Sequence, residues 1–104
     1  MSASEKKVAQ AKTRQKSEKL RLDLEERTVV LGSRRIPLSE NEFSIFSKLC
    51  EKRGDAVSRK ALAEAIGSEN EKEIDVYVCF LRRKLEDDGK RRIFTVRGVG
   101  YKFV

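Results

Sequence analysis

One apolar stripe near the C-terminus limits the possible folds of this chain most strongly. Ile74, Val78, Leu81 and Leu85 recur at spacings of four, three and four residues, so they share one face of an α-helix. The pattern predicts a helix over about 71–86. Because 104 residues make one domain with a small core, we expect this stripe to lie in that core.

Two shorter helices are predicted before this one. Ser39 and Glu42 have the spacing of a capping box, so a helix should begin there, and Gly54 is placed to end it. Ser58 is a suitable N-cap for a second helix, which Gly67 closes. Only a short turn then separates the second helix from the third.

The third helix is predicted to begin with another capping box. Asn70 and Glu73 repeat the required spacing, so each side chain should bind the backbone amide of the other residue. Two helices joined by a short turn, the second carrying exposed cations, are typical of a helix-turn-helix unit.

The N-terminal part of the chain contains a basic segment and three short β-type runs. Residues 1–19 hold six Lys or Arg and two Glu without an apolar period, which predicts a basic linker or disordered tail. The runs at 20–24, 28–31 and 34–38 predict a small antiparallel sheet. The folded domain is therefore expected to span 20–104.

The C-terminal residues predict a β-hairpin. The runs at 93–96 and 101–104 flank Gly98 and Gly100, and these glycines allow Arg97 to project from a tight turn. Beside a helix-turn-helix unit, such a hairpin can act as a wing. The predicted fold is α+β: a winged helix-turn-helix with an N-terminal antiparallel sheet, three helices and a C-terminal wing.

Composition favours binding of a polyanion over catalysis. The chain has 24 Lys and Arg against 17 Asp and Glu, a net charge of +7, and it lacks His. Triads and imidazole acid/base chemistry are therefore absent, and Cys50 and Cys79 are too few for a zinc cluster. We expect free thiols, and no catalytic residue, metal site or cofactor.

No part of the sequence predicts contact with a membrane. No apolar stretch approaches the ~20 residues of a membrane-spanning helix, and residues 1–19 lack the apolar core of a signal peptide. We expect a soluble, cytoplasmic protein.

Two motifs together resemble a known family. The sequence DVYVCFLRRKL at 75–85, followed by TVRGVGYKF at 95–103, is similar to the DNA-binding effector domain of OmpR/PhoB-type response regulators, the winged-helix regulators of two-component systems. The resemblance runs in order from 20 to 104 and includes LSENEF at 38–43. It implies a transcriptional regulator that binds double-stranded promoter DNA, as a dimer on direct repeats, downstream of a phosphorylated receiver domain.

The resemblance also implies which side chains contact DNA. Phosphate contacts are implied for Arg59, Lys72 and Tyr77. The ten residues implied as DNA-binding are Arg59, Lys72, Val76, Tyr77, Phe80, Arg83, Lys84, Thr95, Arg97 and Tyr101.

Helix 71–86 is implied to occupy the major groove, with Val76, Phe80 and Arg83 facing the bases. Many family members carry Arg where this chain has Phe80, and Thr where it has Glu73. Phe80 cannot make a bidentate contact to guanine, although its ring can pack on a thymine methyl group. Glu73 is better explained as a helix cap than as a base reader.

Wing 93–104 is implied to lie at the minor groove, with Arg97 inserted and Thr95 and Tyr101 holding the DNA backbone. The turn between the second and third helices can contact RNA polymerase in the family, and here it is several residues shorter than usual. RNA polymerase is thus a further implied partner.

Two other functions fit the same composition. A winged helix can serve as a protein-interaction module, in which the basic surface binds an acidic partner. An RNA-binding module is the third alternative, disfavoured because the sequence lacks aromatic residues placed to stack bases on a sheet face.

Overall fold

The computed structural model describes residues 19–104, and the chain divides between Glu40 and Asn41 into two compact units. Nearly all of the predicted basic tail at 1–19 lies outside the described residues. In the described part of the chain, no helix is long and apolar enough to cross a membrane.

The first unit is a three-stranded antiparallel sheet. Strands β1 (Leu20–Asp23), β2 (Thr28–Leu31) and β3 (Arg34–Pro37) lie in the order β1-β2-β3. Every residue of the central strand β2 is buried. Arg27 adopts a positive φ of 50° in the β1–β2 turn, and its carbonyl accepts a hydrogen bond from the Leu38 amide. The predicted N-terminal sheet is confirmed.

The second unit contains three helices and a second sheet. Helix α1 spans Glu40–Glu51, α2 spans Arg59–Ala65 and α3 spans Lys72–Leu85. Strands β4 (Val57–Ser58), β5 (Ile93–Val96) and β6 (Gly100–Phe103) form an antiparallel sheet in the order β4-β6-β5. With its three helices, N-terminal sheet and C-terminal hairpin, the structure confirms the predicted α+β winged-helix fold.

The predicted apolar stripe of α3 forms part of the core. Ile74, Val78, Leu81 and Leu85 are each 0% exposed. From α1, Phe46 meets the Phe103 ring edge-on, with centroids 5.0 Å apart. Because four buried positions fix the rotation of α3 about its axis, they also decide which of its side chains face solvent.

One predicted helix cap is confirmed and another is wrong. Ser58 Oγ accepts a hydrogen bond from the Ala61 amide at 3.0 Å, which confirms it as the N-cap of α2. The capping box of Asn70 and Glu73 is wrong. The Asn70 side chain accepts from the Lys72 amide, and the Glu73 carboxylate accepts from the Ser68 hydroxyl at 2.9 Å. The box does not form because the Glu73 carboxylate binds the Ser68 hydroxyl instead, and because α3 begins at Lys72.

Strand β4 was not predicted, and it attaches the wing to the rest of this unit. Val57 pairs with Tyr101, and Ser58 pairs with Gly100. A Cβ atom on Gly100 would overlap the Val57 carbonyl oxygen and approach the Ser58 Cα at 3.0 Å. Glycine at position 100 is thus required by the close approach of β4 to β6.

Candidate nucleic-acid interface

The face of α3 opposite the buried stripe exposes two apolar side chains and a cation. Val76 is 52% exposed, Phe80 is 37% exposed, and Arg83 is exposed one turn further along. We call Val76, Phe80 and Arg83 the reading face. The family resemblance implied that all three residues face the bases, and the structure places them on the same side of one helix.

Neighbouring side chains contact the Phe80 ring. Tyr77 meets it edge-on, with the two centroids 6.3 Å apart, and the Arg83 guanidinium lies 6.0 Å from its centroid. The Tyr77 hydroxyl accepts a hydrogen bond from Asn41 Nδ2 at 2.9 Å. Since Tyr77 is held by α1, it restricts the positions that the Phe80 ring can adopt.

A carboxylate near the start of α3 binds two of the predicted site residues. Asp75 Oδ1 accepts hydrogen bonds from the Tyr101 hydroxyl at 2.6 Å and from Arg59 Nε at 2.8 Å. The Tyr101 hydrogen bond, opposed in part by burial and reinforced by Arg59, lowers the pKa of Asp75 below its usual value. Burial, together with the bond to Asp75, raises the pKa of Tyr101. Asp75 is therefore ionised at neutral pH and joins α2, α3 and β6.

Arg82 joins α3 to the wing. Its Nε and Nη2 atoms donate to the Ile93 carbonyl oxygen at 3.2 and 3.0 Å, and Nη2 also donates to Thr95 Oγ1 at 2.9 Å. The guanidinium lies 5.5 Å from the centroid of the Tyr101 ring. This link was not predicted from the sequence, because the partners are 11 and 13 residues away.

A buried arginine fixes the segment that follows α3. Arg92 is 6% exposed, and it donates to the Leu85 carbonyl oxygen at 2.6 Å and to Asp88 Oδ2 at 2.9 Å. Glu86 Oε2 accepts from the backbone amides of Arg92 and Ile93. The C-terminal end of α3 is thus connected to the first residue of the wing through polar contacts.

The wing tip consists of Arg97, Gly98 and Val99, between β5 and β6. All three residues are exposed, and Gly98 has a φ of +78° that other residues rarely adopt. The Val99 amide donates to the Val96 carbonyl, and the Arg59 amide donates to the Val99 carbonyl at 3.4 Å. These contacts hold the tip in a tight turn with Arg97 in solvent.

Lys84 and Tyr101 are placed differently from the other predicted contacts. Lys84 Nζ donates to Glu42 Oε1 at 2.7 Å, and the Glu42 side chain is only 5% exposed. Tyr101 is also 5% exposed. The charge of Lys84 is therefore paired with α1, and the Tyr101 ring lies under the surface, with its hydroxyl bound to Asp75.

The two cysteines are free thiols, as predicted. Burial raises the pKa of Cys50 to about 12, so its thiol stays protonated at neutral pH. Cys79 is exposed on α3, next to Phe80 in the sequence.

All ten predicted site residues lie in the second unit. Arg59, Thr95 and Tyr101 are brought together through Asp75 and Arg82. The remaining members are on α3 or at the wing tip: Lys72, Val76, Tyr77, Phe80, Arg83, Lys84 and Arg97.

Comparison with protein families and curated proteins gives consistent matches. The family described as "Transcriptional regulatory protein, C terminal" matches residues 33–103. The response regulator MprA of Mycobacterium avium (strain 104) is 39% identical over 87 residues, covering 79% of this chain and 38% of that protein. MprA of Mycobacterium ulcerans (strain Agy99) is 38% identical over the same shares. The chain thus spans about two fifths of the length of the curated relatives it matches.

Solved structures of similar fold include two DNA complexes. One is the DNA-binding domain of the response regulator AdeR with an intercistronic region, at a TM-score of 0.73 and 29% identity over 81% of this chain and 90% of that one. The other is the Klebsiella pneumoniae RstA DNA-binding domain with the RstA box, at a TM-score of 0.71 and 33% identity over 82% and 90%.

Proposed function

The chain belongs to the family of transcriptional regulatory protein C-terminal domains, among the OmpR/PhoB-type response regulators, and on this premise we propose that it binds double-stranded DNA in a sequence-specific manner. Membership confirms the resemblance drawn from the motifs at 75–85 and 95–103. In this proposal α3 occupies the major groove, and the wing, residues 93–104, lies at the minor groove.

The observation that carries the proposal is the two-sided structure of α3. One side is fully buried, and the other presents the reading face to solvent on a helix of 14 residues. An α-helix fits the major groove of B-DNA, where base edges can be distinguished by hydrogen bonds and apolar contact. The DNA complexes formed by the AdeR and RstA domains support this use of the fold.

Phosphate contacts are proposed for Arg59, Lys72 and Tyr77, with Lys84 at the far end of α3. Asp75 uses only one of the five N–H donors of Arg59, at Nε, so the pair can orient the guanidinium while leaving donors for a phosphate. Lys84 forms an ion pair with Glu42, so we expect it to contribute less to DNA affinity than Lys72.

The wing is proposed to contribute through Arg97. A guanidinium on a glycine turn can enter a narrow minor groove, where it reads groove width and little of the base sequence. Thr95 and Tyr101 are assigned to the DNA backbone. Because the Tyr101 ring is buried and its hydroxyl binds Asp75, Tyr101 also holds the wing against α3.

Several further assignments follow from the family and belong to the proposal. The chain would act as the output domain of a two-component regulator in the cytoplasm, with 20–104 as the DNA-binding domain and 1–19 as a basic linker. Dimers on direct repeats and a contact with RNA polymerase are proposed partners. A regulator of this kind needs no catalytic step.

The salt dependence of binding to random duplex DNA tests the proposal. Release of counterions gives a slope of about −0.9 in log affinity against log salt for each phosphate neutralised. Lys72→Ala should reduce the magnitude of the slope by about 0.9, while Lys52→Ala, an exposed lysine outside the proposed contacts, should leave it unchanged.

Poly-glutamate is the competing ligand, because it represents an acidic protein partner. We expect the domain to prefer the duplex, and to prefer duplexes selected from a random pool over unselected ones. Equal binding of poly-glutamate and duplex, with no selectable sequence, would favour the protein-interaction module.

A further inference from the structure

The reading face is more apolar than the rest of the exposed surface of α3. Val76 and Phe80 are four residues apart and therefore stand one above the other on the helix. Both remain exposed although the stripe of Ile74, Val78 and Leu81 already fills the buried side of α3. Burial of apolar side chains of this size is favourable, so a ligand that covers them gains binding free energy.

The charges around these two side chains indicate the kind of ligand. Lys72 precedes them on the same helix, and Arg83 follows them, with its guanidinium 6.0 Å from the Phe80 ring centroid. An apolar surface between exposed cations complements a partner that has an apolar group between anions. Major-groove DNA has this arrangement, since its base edges lie between two rows of phosphates.

Only one group on a major-groove base edge is apolar, the C5 methyl of thymine. Valine and phenylalanine side chains have no hydrogen-bonding atoms, so they cannot satisfy the donors and acceptors of adenine, guanine or unmodified cytosine. A 5-methylcytosine carries its methyl group at the same ring position as thymine.

We propose that Val76 and Phe80 read the C5 methyl groups of pyrimidines in the major groove. This inference rests on the proposed function and adds the chemical group that is recognised. Four residues of helix rise about 6 Å, and base pairs are stacked about 3.4 Å apart, so the two methyl groups should lie within about two base steps.

Replacing thymine by deoxyuridine tests the inference, because this change removes the C5 methyl group and keeps every hydrogen-bonding group. Duplexes selected from a random pool by the domain are resynthesised with one thymine replaced at a time. Burial of one methyl-sized group contributes about 0.8 kcal/mol, which corresponds to about fourfold in affinity. We expect such a loss at one or two positions and no change elsewhere.

The source of the methyl group is distinguished in a second series. At each sensitive position, the thymine pair is replaced by a pair containing 5-methylcytosine or cytosine. The methylated duplex should bind more tightly than the unmethylated one by about the same factor. If uracil weakens binding at a position but the 5-methylcytosine and cytosine duplexes bind equally there, the domain does not recognise the C5 methyl group itself, and the inference is wrong.

Variants connect each position to a side chain. Phe80→Ala should abolish the difference between thymine and uracil at one position, and Val76→Ala should abolish it at the other. Leu24→Ala removes an aliphatic side chain that is 56% exposed after β1, away from α3 and the wing in sequence, and it should leave both differences intact. Circular dichroism melting confirms that each variant is folded.

The outcomes separate this inference from the proposed function. If selected duplexes bind tightly and uracil weakens none of them, the methyl reading is wrong and DNA binding stands. If the thymine dependence persists in both helix variants, other side chains read the methyl groups. If no duplex binds in preference to poly-glutamate, the proposed function fails and the inference fails with it.

Discussion

The reading face and the wing tip are both exposed, but they present different chemistry. The reading face has two apolar side chains and Arg83 on a helix, whereas the wing tip has Arg97 beside a glycine of positive φ. Side-chain shape on a helix can distinguish individual bases, while a single cation on a turn responds mainly to groove width and charge. We therefore propose that the two regions divide recognition, with sequence reading on α3 and shape reading on the wing.

They also differ in how they are supported. The reading face is supported by four fully buried residues of the same helix. The wing is also anchored in the core, through Ile93 and Phe103, and it has additional polar support from Arg82 and from the pairing of β4 with β6. Changes beneath each region should therefore have different costs and different consequences.

The largest effect is expected beneath the reading face. Leu81 is 0% exposed, so Leu81→Ala should lower the free energy of unfolding by about 2–5 kcal/mol. Urea denaturation followed by circular dichroism measures the change. A change within about 0.5 kcal/mol would mean that Leu81 is a surface residue, and the rotation of α3 used to define the reading face would be wrong.

A smaller loss is expected beneath the wing. Gly100→Ala places a Cβ against the Val57 carbonyl and should cost about 1–3 kcal/mol by overpacking. Faster amide exchange in β6 should accompany it. Gly98→Ala is the control: its Cβ meets no atom within 4 Å, so only its φ of +78° is strained, and β4–β6 pairing should survive. Equal exchange in the two variants would contradict the close approach at Gly100.

The link between the two regions can be removed without changing the core. Arg82→Met deletes the hydrogen bonds to Ile93 and Thr95 but keeps an apolar stem, and it should cost about 1 kcal/mol. Amide exchange should increase in β5. Arg91→Met is the matched control, because the exposed Arg91 lies over the Phe94 ring at 5.9 Å, and we expect a change within about 0.5 kcal/mol. If the two variants show the same stability and the same amide exchange in β5, Arg82 does not hold the wing.

The smallest effect is the loss of stability at low pH that protonation of Asp75 causes. A carboxyl group whose pKa is lowered in the folded state adds stability above its unfolded pKa, and this contribution is lost as pH falls through the folded value. The Asp75 pKa is lowered from 3.8, so this loss occurs below about pH 4. A titration of the Asp75 carboxyl carbon by NMR should show a low midpoint that rises in Tyr101→Phe. An unchanged midpoint in Tyr101→Phe would mean that the Tyr101 hydrogen bond does not lower the pKa of Asp75.

The sequence was sufficient for the features that depend on local periodicity. The stripe of Ile74, Val78 and Leu81 predicted α3 and its buried side, and Gly98 with Gly100 marked the wing. Such patterns are readable because a helix or strand places every third, fourth or second residue on one face.

Contacts between residues distant in the sequence were not predictable in this way. Arg82 binds the wing, Asp75 joins Arg59 to Tyr101, and Lys84 binds Glu42 across 42 residues. No local period encodes these pairs, since each depends on how separate elements pack. Strand β4 was missed for a related reason, because two residues are too few to show an alternation.

The division of recognition between α3 and the wing is tested most directly by a base-by-base affinity profile. Wild type, Phe80→Ala and Arg97→Ala are measured on duplexes carrying every single substitution of a selected site, at one fixed salt concentration. Phe80→Ala should change the preference at one position, by about 1–3 kcal/mol per mismatched pair, and Arg97→Ala should weaken binding to A·T-rich flanks most. Three profiles of identical shape would contradict the account.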